Sequence, residues 1–165
     1  MIYILDAYNV IHKIRSLDRA LNKDLRAARE ALIRLCAEYA AGRGDVSKII
    51  LVFDGKSEFQ DLPHNAPPKI KMIFSDTGED ADERIITVLE DLSKQPHKCV
   101  VSDDNFVRNQ ARAHLTPIMS VSEFETLFRG LKKTPPGKAS SEKSPLPKNL
   151  ADEITAAYKK QLGLK

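Results

Sequence analysis

The chain has 165 residues, of which 42% are hydrophobic and 30% charged, a balance that fits a globular domain and argues against a disordered or fibrous protein. No apolar run reaches the roughly 18 residues needed to cross a bilayer, and two isolated cysteines argue against a disulfide scaffold or a thiolate metal site. The apolar N-terminal stretch lacks a basic region before it, so we expect no signal peptide and a cytoplasmic protein with no membrane association.

Charge is distributed unevenly along the chain. Residues 1–129 carry 18 Lys and Arg against 20 Asp and Glu, a net charge of −2, whereas residues 130–165 carry 8 against 3, a net charge of +5. A basic tail attracts phosphates of any sequence, which fits a nucleic-acid partner, although many solvated tails have the same composition.

The first part of the chain predicts two buried strands, a long helix and a loop. The apolar run at 2–5 does not alternate with polar residues, as expected of a strand covered on both faces in a parallel sheet. Helical spacing over 24–41 predicts a helix with an acid at its start and a glycine after its end. A second buried strand is predicted at 49–53, and a proline-rich loop at 56–69.

Farther along, strands alternate with helices up to residue 129. The predicted elements are a strand at 70–74, a helix at 81–93, a strand at 99–101, a helix at 105–114, a strand at 117–119 and a helix at 121–128. In the helix at 105–114 we expect Phe106, Val107 and Ala111 to face inward. This alternation predicts an α/β fold with a mostly parallel central sheet of about five strands flanked by helices.

The C-terminal part has a different composition. Residues 130–149 contain four prolines and several Ser and Lys, which is typical of a linker. Residues 150–165 predict an amphipathic helix that could pack on its own domain, on a second copy or on another protein. We therefore expect a domain at 1–129, a linker at 130–149 and a C-terminal helix at 150–165.

Aspartates occupy corresponding places in the predicted sheet. Asp6, Asp54 and Asp103 each follow a strand, and Asp82 begins the helix after another. Ligands of open α/β sheets bind outside the carboxyl ends of the strands, so we expect these four carboxylates to converge. Gathered carboxylates repel each other unless a cation compensates them, and Mg²⁺ or Mn²⁺ suits an all-oxygen site. The alternative is that each Asp only caps a helix or ends a strand, which explains any one of them better than all four.

Other polar residues near this edge are secondary candidates. Asp104 is either a further metal ligand or the cap of the next helix. Asn9 could bond a carboxylate or a metal-bound water, or cap a helix. Asp80 and Glu83, beside the helix start, are either outer ligands or solvated acids that suit the helix dipole.

Four short motifs resemble those of the NYN domains, particularly their YacP-like branch. The run LDAYNVI at 5–11 resembles the family's opening DGYNVI, with Ala7 where glycine is usual, and VFDG at 52–55 resembles its second element. The stretch ADE at 81–83 resembles the family's helix start, and VSD at 101–103 its strand end. The motifs occur in the family's order over about residues 1–129, and the tail beyond residue 130 has no counterpart among them.

The resemblance implies a PIN-like fold, since NYN domains are similar to PIN and FLAP nucleases, and a metal-dependent endoribonuclease activity. Carried over position by position, the implied active-site acids are Asp6, Asp54, Asp82 and Asp103, and all four are intact.

A site of this kind should be flanked by basic side chains that contact RNA. The candidates are Lys56, Arg84, Arg108 and Arg112, for each of which a solvated position is the alternative. We expect RNA as the partner, free or associated with the ribosome, and a homo-oligomer or protein partner is conceivable through the C-terminal helix.

Two other functions compete with a nuclease. One is a non-catalytic RNA- or ribosome-binding module of the same fold. The other is a different Asp-metal phosphotransfer enzyme, such as a receiver domain or a haloacid-type phosphatase. Receiver domains and haloacid-type phosphatases both need a second acid near the first strand, and the sequence Asp6-Ala7-Tyr8 lacks it.

Overall fold

A computed structural model of the chain describes residues 1–55, 66–75 and 81–131. These residues all belong to one compact unit, Met1–Thr134. Most of the predicted loop at 56–69, nearly all of the linker at 130–149, the C-terminal helix at 150–165, and the candidates Lys56 and Asp80 lie outside the described residues.

The described residues form five strands and six helices. The strands are β1 (Ile2–Asp6), β2 (Lys48–Phe53), β3 (Ile70–Phe74), β4 (Lys98–Val101) and β5 (Ile118–Met119). The helices are α1 (Ala7–Lys13), α2 (Arg15–Leu21), α3 (Leu25–Ala41), α4 (Ala81–Asp91), α5 (Asn105–Ala113) and α6 (Val121–Leu131). None of these helices is both long enough and apolar enough to span a membrane.

The five strands form one parallel sheet in the order β3-β2-β1-β4-β5, which confirms the predicted α/β fold. β1 lies at the centre, where Ile4 is in register with Ile50 of β2 on one side and Val100 of β4 on the other. The chain builds the sheet outward from β1 through β2 and β3, then returns to place β4 on the other side of β1. The junction of β1 and β4 is therefore the topological switch point, where open α/β sheets bind their ligands.

Both faces of the sheet are buried, as the unbroken apolar runs predicted. Tyr3 and Leu5 pack into a core with helices α1, α2, α3 and α6, whereas Ile4 belongs to the opposite core with α4 and α5. Successive side chains of a strand point to opposite faces, so one short run supplies both cores.

Helices α1 and α2 were not predicted. Each has seven residues, too few for a clear apolar period, and Ile14 separates them in an extended conformation. α1 matters for function because Asp6 is both the last residue of β1 and the N-cap of this helix. The turn brings Asn9 back beside the end of β1.

One core prediction in α5 was wrong. Val107 and Ala111 are buried as expected, but Phe106 is 48% exposed. Phe106 lies about 100° around the helix from Val107, outside the face that Val107 and Ala111 bury against the sheet.

Candidate active site

The carboxyl edge of the central strands brings several of the predicted residues together. Asp6 is in register with Val52 of β2, and its neighbour Leu5 with Val101 of β4. Asp6 therefore lies beside Ser102, the residue after β4, while Asp54 follows one residue beyond the end of β2.

Asp6 is the most enclosed acid of this edge, with 8% of its surface exposed. Its Oδ1 accepts a hydrogen bond from the backbone N–H of Asn9 at 3.2 Å, and its Oδ2 accepts one from the Ser102 hydroxyl at 3.2 Å. Burial raises the pKa of the Asp6 carboxyl, these two hydrogen bonds oppose that rise, and the charges of Asp104 and Asp54 add to it. A nearby cation would oppose the effect of burial and stabilise the ionised form of Asp6.

Ser102 fixes the orientation of Asp6. It is fully buried, and its Oγ accepts the backbone N–H of Asp104 at 3.0 Å. A hydroxyl has one proton, and the backbone N–H supplies its own proton to this contact. The Ser102 proton is therefore available to Asp6, which can accept it only on an unprotonated oxygen.

The acids after β4 are engaged with the helices that follow. Asp103 donates its backbone N–H to Asn9 Oδ1 at 3.0 Å, and its own Oδ1 accepts the N–H of Val121, the first residue of α6, at 3.1 Å. Asp104 is the N-cap of α5, where its Oδ1 accepts the N–H groups of Phe106 and Val107 at 2.8 and 3.1 Å. Asp104 nevertheless lies close enough for its charge to act on Asp6.

Asp54 is exposed, and a serine hydroxyl donates a hydrogen bond to it, as Ser102 does to Asp6. The hydroxyl of Ser75, the residue after β3, donates to Asp54 Oδ1 at 3.1 Å and accepts the N–H of Gly55 at 3.0 Å. Gly55 has φ +101°, a left-handed conformation that favours glycine and turns the chain directly after Asp54.

The remaining predicted acids lie on α4. Asp82 is its second residue and is half-buried, and Glu83 beside it is exposed. Across residues 1–55, 66–75 and 81–131, no three His, Cys, Asp or Glu side chains stand close enough together to hold one metal ion. In the described part of the chain, the four aspartates therefore do not form one tight cluster. Instead, the charges of Asp104 and Asp54 act on Asp6 from a distance.

Basic groups approach the same edge. Arg108 Nη1 lies 3.5 Å from the carbonyl oxygen of Ser102, which places its guanidinium back toward the end of β4. Arg112, one turn farther on, is exposed and bonded to Asn109 at 2.9 Å, and Arg84 is half-buried on α4. Arg108 thus contacts the end of β4 itself.

Sequence reasoning missed the roles of Ser75 and Ser102. Both follow a strand that neighbours the strand ending in an aspartate, so their position after the strands was the available signal. Which aspartate each would contact depends on the strand order, which the sequence did not supply.

Comparisons with known proteins agree with this fold. The family model of the YacP-like NYN domain matches residues 3–163, which includes the C-terminal segment that the motifs left without a counterpart. The crystal structure of Rae1 (YacP) from Bacillus subtilis is similar to this chain at 26% sequence identity and a TM-score of 0.63, covering 98% of this chain and 94% of that one. A mutant of the same Bacillus subtilis protein is similar at 24% identity and a TM-score of 0.62, with 80% and 79% covered. No curated protein matches the sequence.

Proposed function

Because this chain belongs to the YacP-like NYN domain family, part of the PIN-like nuclease superfamily, we propose that it is a metal-dependent endoribonuclease. The observation that carries the proposal is the buried Asp6 carboxylate at the β1–β4 switch point. It is oriented by two hydrogen bonds and lies near the charges of Asp104 and Asp54.

The donors at this edge suit Mg²⁺ or Mn²⁺. All the candidate ligands are carboxylates, and Mg²⁺ commonly uses only one or two of them, completing its shell with water and substrate phosphate. A close group of three acids is therefore not required. We assign Asp6 as the first ligand, and the other proposed ligands are Asp54, Asp82, Asp103 and Asp104.

When bound, the cation would supply a nucleophilic water at neutral pH and neutralise charge on the phosphate. The chain's own contribution is orientation. Ser102 and Asn9 hold the Asp6 carboxylate in one position, and Asn9 also ties the end of β4 to α1. Arg108 places positive charge at the end of β4, where it can bind a phosphate that the acids alone would repel.

The substrate is RNA in this proposal, and further phosphate contacts are assigned to Lys56, Arg84 and Arg112. Asn9 acts as a positioning residue, with Asp80 and Glu83 as secondary acids. Association with the ribosome, with a second copy or with another protein through residues 150–165 stays a prediction, as does a cytoplasmic location.

The test is cleavage of a labelled RNA by the full chain in Mg²⁺, in Mn²⁺ and in excess chelator. Wild type should cut only with a divalent ion, and Asp6→Asn should abolish cleavage. Asp45→Asn is the matched control, because Asp45 is an exposed acid before β2, at the opposite edge of the sheet. Its Oδ2 lies 2.7 Å from Arg43 Nη2. This control should cut like wild type.

Two outcomes would overturn the proposal. Cleavage by Asp6→Asn at the wild-type rate would show that the acid edge is not the catalytic site. RNA that binds but stays uncut in both ions would instead support the non-catalytic binding module. Separate assays of Asp103→Asn and Asp104→Asn then decide which acid after β4 takes part.

A further inference from the structure

The hydroxyl of Tyr8 has a proton that finds no acceptor in the part of the chain that the structure describes. Its oxygen accepts a hydrogen bond from Arg29 Nε at 2.9 Å, and Arg29 Nη2 donates to the same oxygen. A guanidinium has donors but no acceptor, so the hydroxyl proton cannot be directed at Arg29. Across residues 1–55, 66–75 and 81–131 the Tyr8 hydroxyl makes no other hydrogen bond. It is therefore a donor that is held in place and still lacks an acceptor.

The Tyr8 side chain lies beside the strand ends that carry Asp6 and Asp54. Tyr8 is the second residue after Asp6 and is half-buried. Its ring meets Phe53 edge-on, with centroids 5.8 Å apart, and Phe53 is the residue directly before Asp54. The donor thus belongs to the same carboxyl edge of the sheet as the two acids.

Arg29 brings positive charge to this edge from one face of the sheet. Its guanidinium lies 5.6 Å from the centroid of the Tyr8 ring. Helix α3, which carries Arg29, packs on one core, whereas α5, which carries Arg108, packs on the opposite core. Guanidinium groups therefore approach the carboxyl edge from both faces of the sheet, Arg29 beside Tyr8 and Arg108 at the end of β4.

The chemistry of the Tyr8 hydroxyl suits a phosphate oxygen. The carboxylates of Asp6 and Asp54 accept their hydrogen bonds from other groups, and neither accepts one from Tyr8. The unesterified oxygens of a phosphodiester only accept hydrogen bonds, and tyrosine side chains are among the usual donors to them. Such a bond is strong because the acceptor is charged, and a donor with a cation behind it also offsets the repulsion between a phosphate and the acids.

We propose that Tyr8 is a substrate-binding residue, whose hydroxyl donates a hydrogen bond to a phosphate oxygen of the substrate at the carboxyl edge. Arg29 is the positioning residue that holds this hydroxyl. The proposal rests on the proposed function for the identity of the phosphate. With Tyr8 on the α3 face and Arg108 on the α5 face, the substrate backbone crosses the edge from one face of the sheet to the other.

The first test removes the hydroxyl and keeps the ring. Tyr8→Phe should lower kcat/KM for RNA cleavage by roughly 10- to 150-fold, as expected for the loss of a hydrogen bond to a charged group. Tyr3→Phe is the matched control, because it removes a hydroxyl from the same core, one that lies 3.5 Å from the Tyr39 hydroxyl. This control should cut like wild type, and urea unfolding shows that both variants are folded under the assay conditions.

A double-mutant cycle tests the role of Arg29. Arg29→Gln should lower kcat/KM when Tyr8 is present and change it little in the Tyr8→Phe background, because its effect on the substrate passes through the hydroxyl. A role confined to folding would change the free energy of unfolding and leave kcat/KM unaltered in both backgrounds. Equal losses of kcat/KM in both backgrounds would refute the positioning role.

Fluorine NMR tests the contact without cleavage. The full chain has four tyrosines, and after labelling with fluorotyrosine the Tyr8 signal is the one that Tyr8→Phe lacks. The probe is adenosine monophosphate in Mg²⁺, which has a phosphate but no phosphodiester to cut, and adenosine is its control. We expect adenosine monophosphate to shift the Tyr8 signal, adenosine to leave it in place, and the Tyr3 signal to stay unchanged with both.

The outcomes separate this proposal from the proposed function. Cleavage by Tyr8→Phe at the wild-type rate, an equal loss in Tyr3→Phe, or a Tyr8 signal that adenosine monophosphate does not move would overturn the role of Tyr8. If wild type cuts RNA in that case, the nuclease stands and the Tyr8 contact is wrong. If wild type does not cut while adenosine monophosphate alone shifts the Tyr8 signal, the nuclease is wrong and the phosphate contact stands.

Discussion

Replacing Ser102 by alanine should destabilise the protein through the buried Asp6 carboxylate. The substitution removes the hydroxyl that donates to Asp6 Oδ2 at 3.2 Å and that accepts the Asp104 N–H at 3.0 Å. A hydrogen bond to a charged group contributes about 1.5–3 kcal/mol, and a backbone N–H left without an acceptor costs about 1 kcal/mol more. We therefore expect Ser102→Ala to lower the free energy of unfolding by about 2.5–4 kcal/mol at neutral pH.

Ser75→Ala is the matched control for this prediction. Ser75 makes the same pair of contacts, donating to Asp54 and accepting from Gly55, at similar distances. Asp54 is exposed, however, so water can replace the lost hydroxyl. The expected loss is about 0.5–1 kcal/mol, typical of a hydrogen bond whose partner stays hydrated.

The pH dependence of the Ser102→Ala effect gives a second test. The Ser102 hydrogen bond lowers the pKa of Asp6 against the larger effect of burial, so it stabilises the ionised carboxylate. Stability from such a bond is present above the pKa of Asp6 and is lost as the pH falls through it. Since the net pKa of Asp6 is raised, the difference between wild type and Ser102→Ala should begin to shrink above the usual range of an aspartate.

Urea unfolding followed by circular dichroism, repeated from neutral to acidic pH, measures both quantities. Equal losses in Ser102→Ala and Ser75→Ala, or a Ser102→Ala loss that is constant with pH, would refute the reasoning from a buried, ionised Asp6.

Four further outcomes are expected. Without divalent ions, Asp6→Asn should unfold at a higher urea concentration than wild type at neutral pH, because burial disfavours the charged form of Asp6. This difference should disappear in acid, where protonation removes the charge from wild type. Mn²⁺ should raise the Tm of wild type and of Asp45→Asn in a thermal-shift assay, but not that of Asp6→Asn, since a ligand of the native state stabilises it. Asp104→Ala should lower the unfolding free energy by about 1 kcal/mol through loss of the α5 cap, and Asp104→Ser should restore most of it. Phe124→Ala should lower it by about 3–5 kcal/mol in the same urea assay, because Phe124 is fully buried among aromatic rings.

The strands and long helices were predictable because burial is encoded in local runs of residues. The run at 2–5 is apolar at every position, which only a sheet covered on both faces requires. Helix α3 begins after Asp24, whose side chain accepts the N–H of Ala27, and ends just before Gly42, as its capping residues predicted. α1 and α2 escaped prediction because seven residues provide too few turns for a period to appear.

The side-chain directions at the site were not predictable in the same way. Asp103 and Asp104 are adjacent in sequence, yet one carboxylate caps α6 and the other caps α5. Phe106 was expected inside with Val107 and Ala111, but it lies about 100° around the helix from Val107, where nothing buries it fully, and it is 48% exposed. Spacing specifies a face of a helix, and the neighbouring elements determine whether anything covers that face.

The sequence by itself determined the strands, the helices of ordinary length, the all-buried character of the sheet and the placing of aspartates at the strand ends, because each depends on residues close together in the chain. Only the tertiary structure decided that Ser102 bonds Asp6, that Ser75 bonds Asp54 and that Phe106 faces solvent. Those contacts join residues up to 96 positions apart, and they depend on which strands become neighbours in the sheet. Strand order follows from the packing of the whole domain, and no local stretch of sequence specifies it.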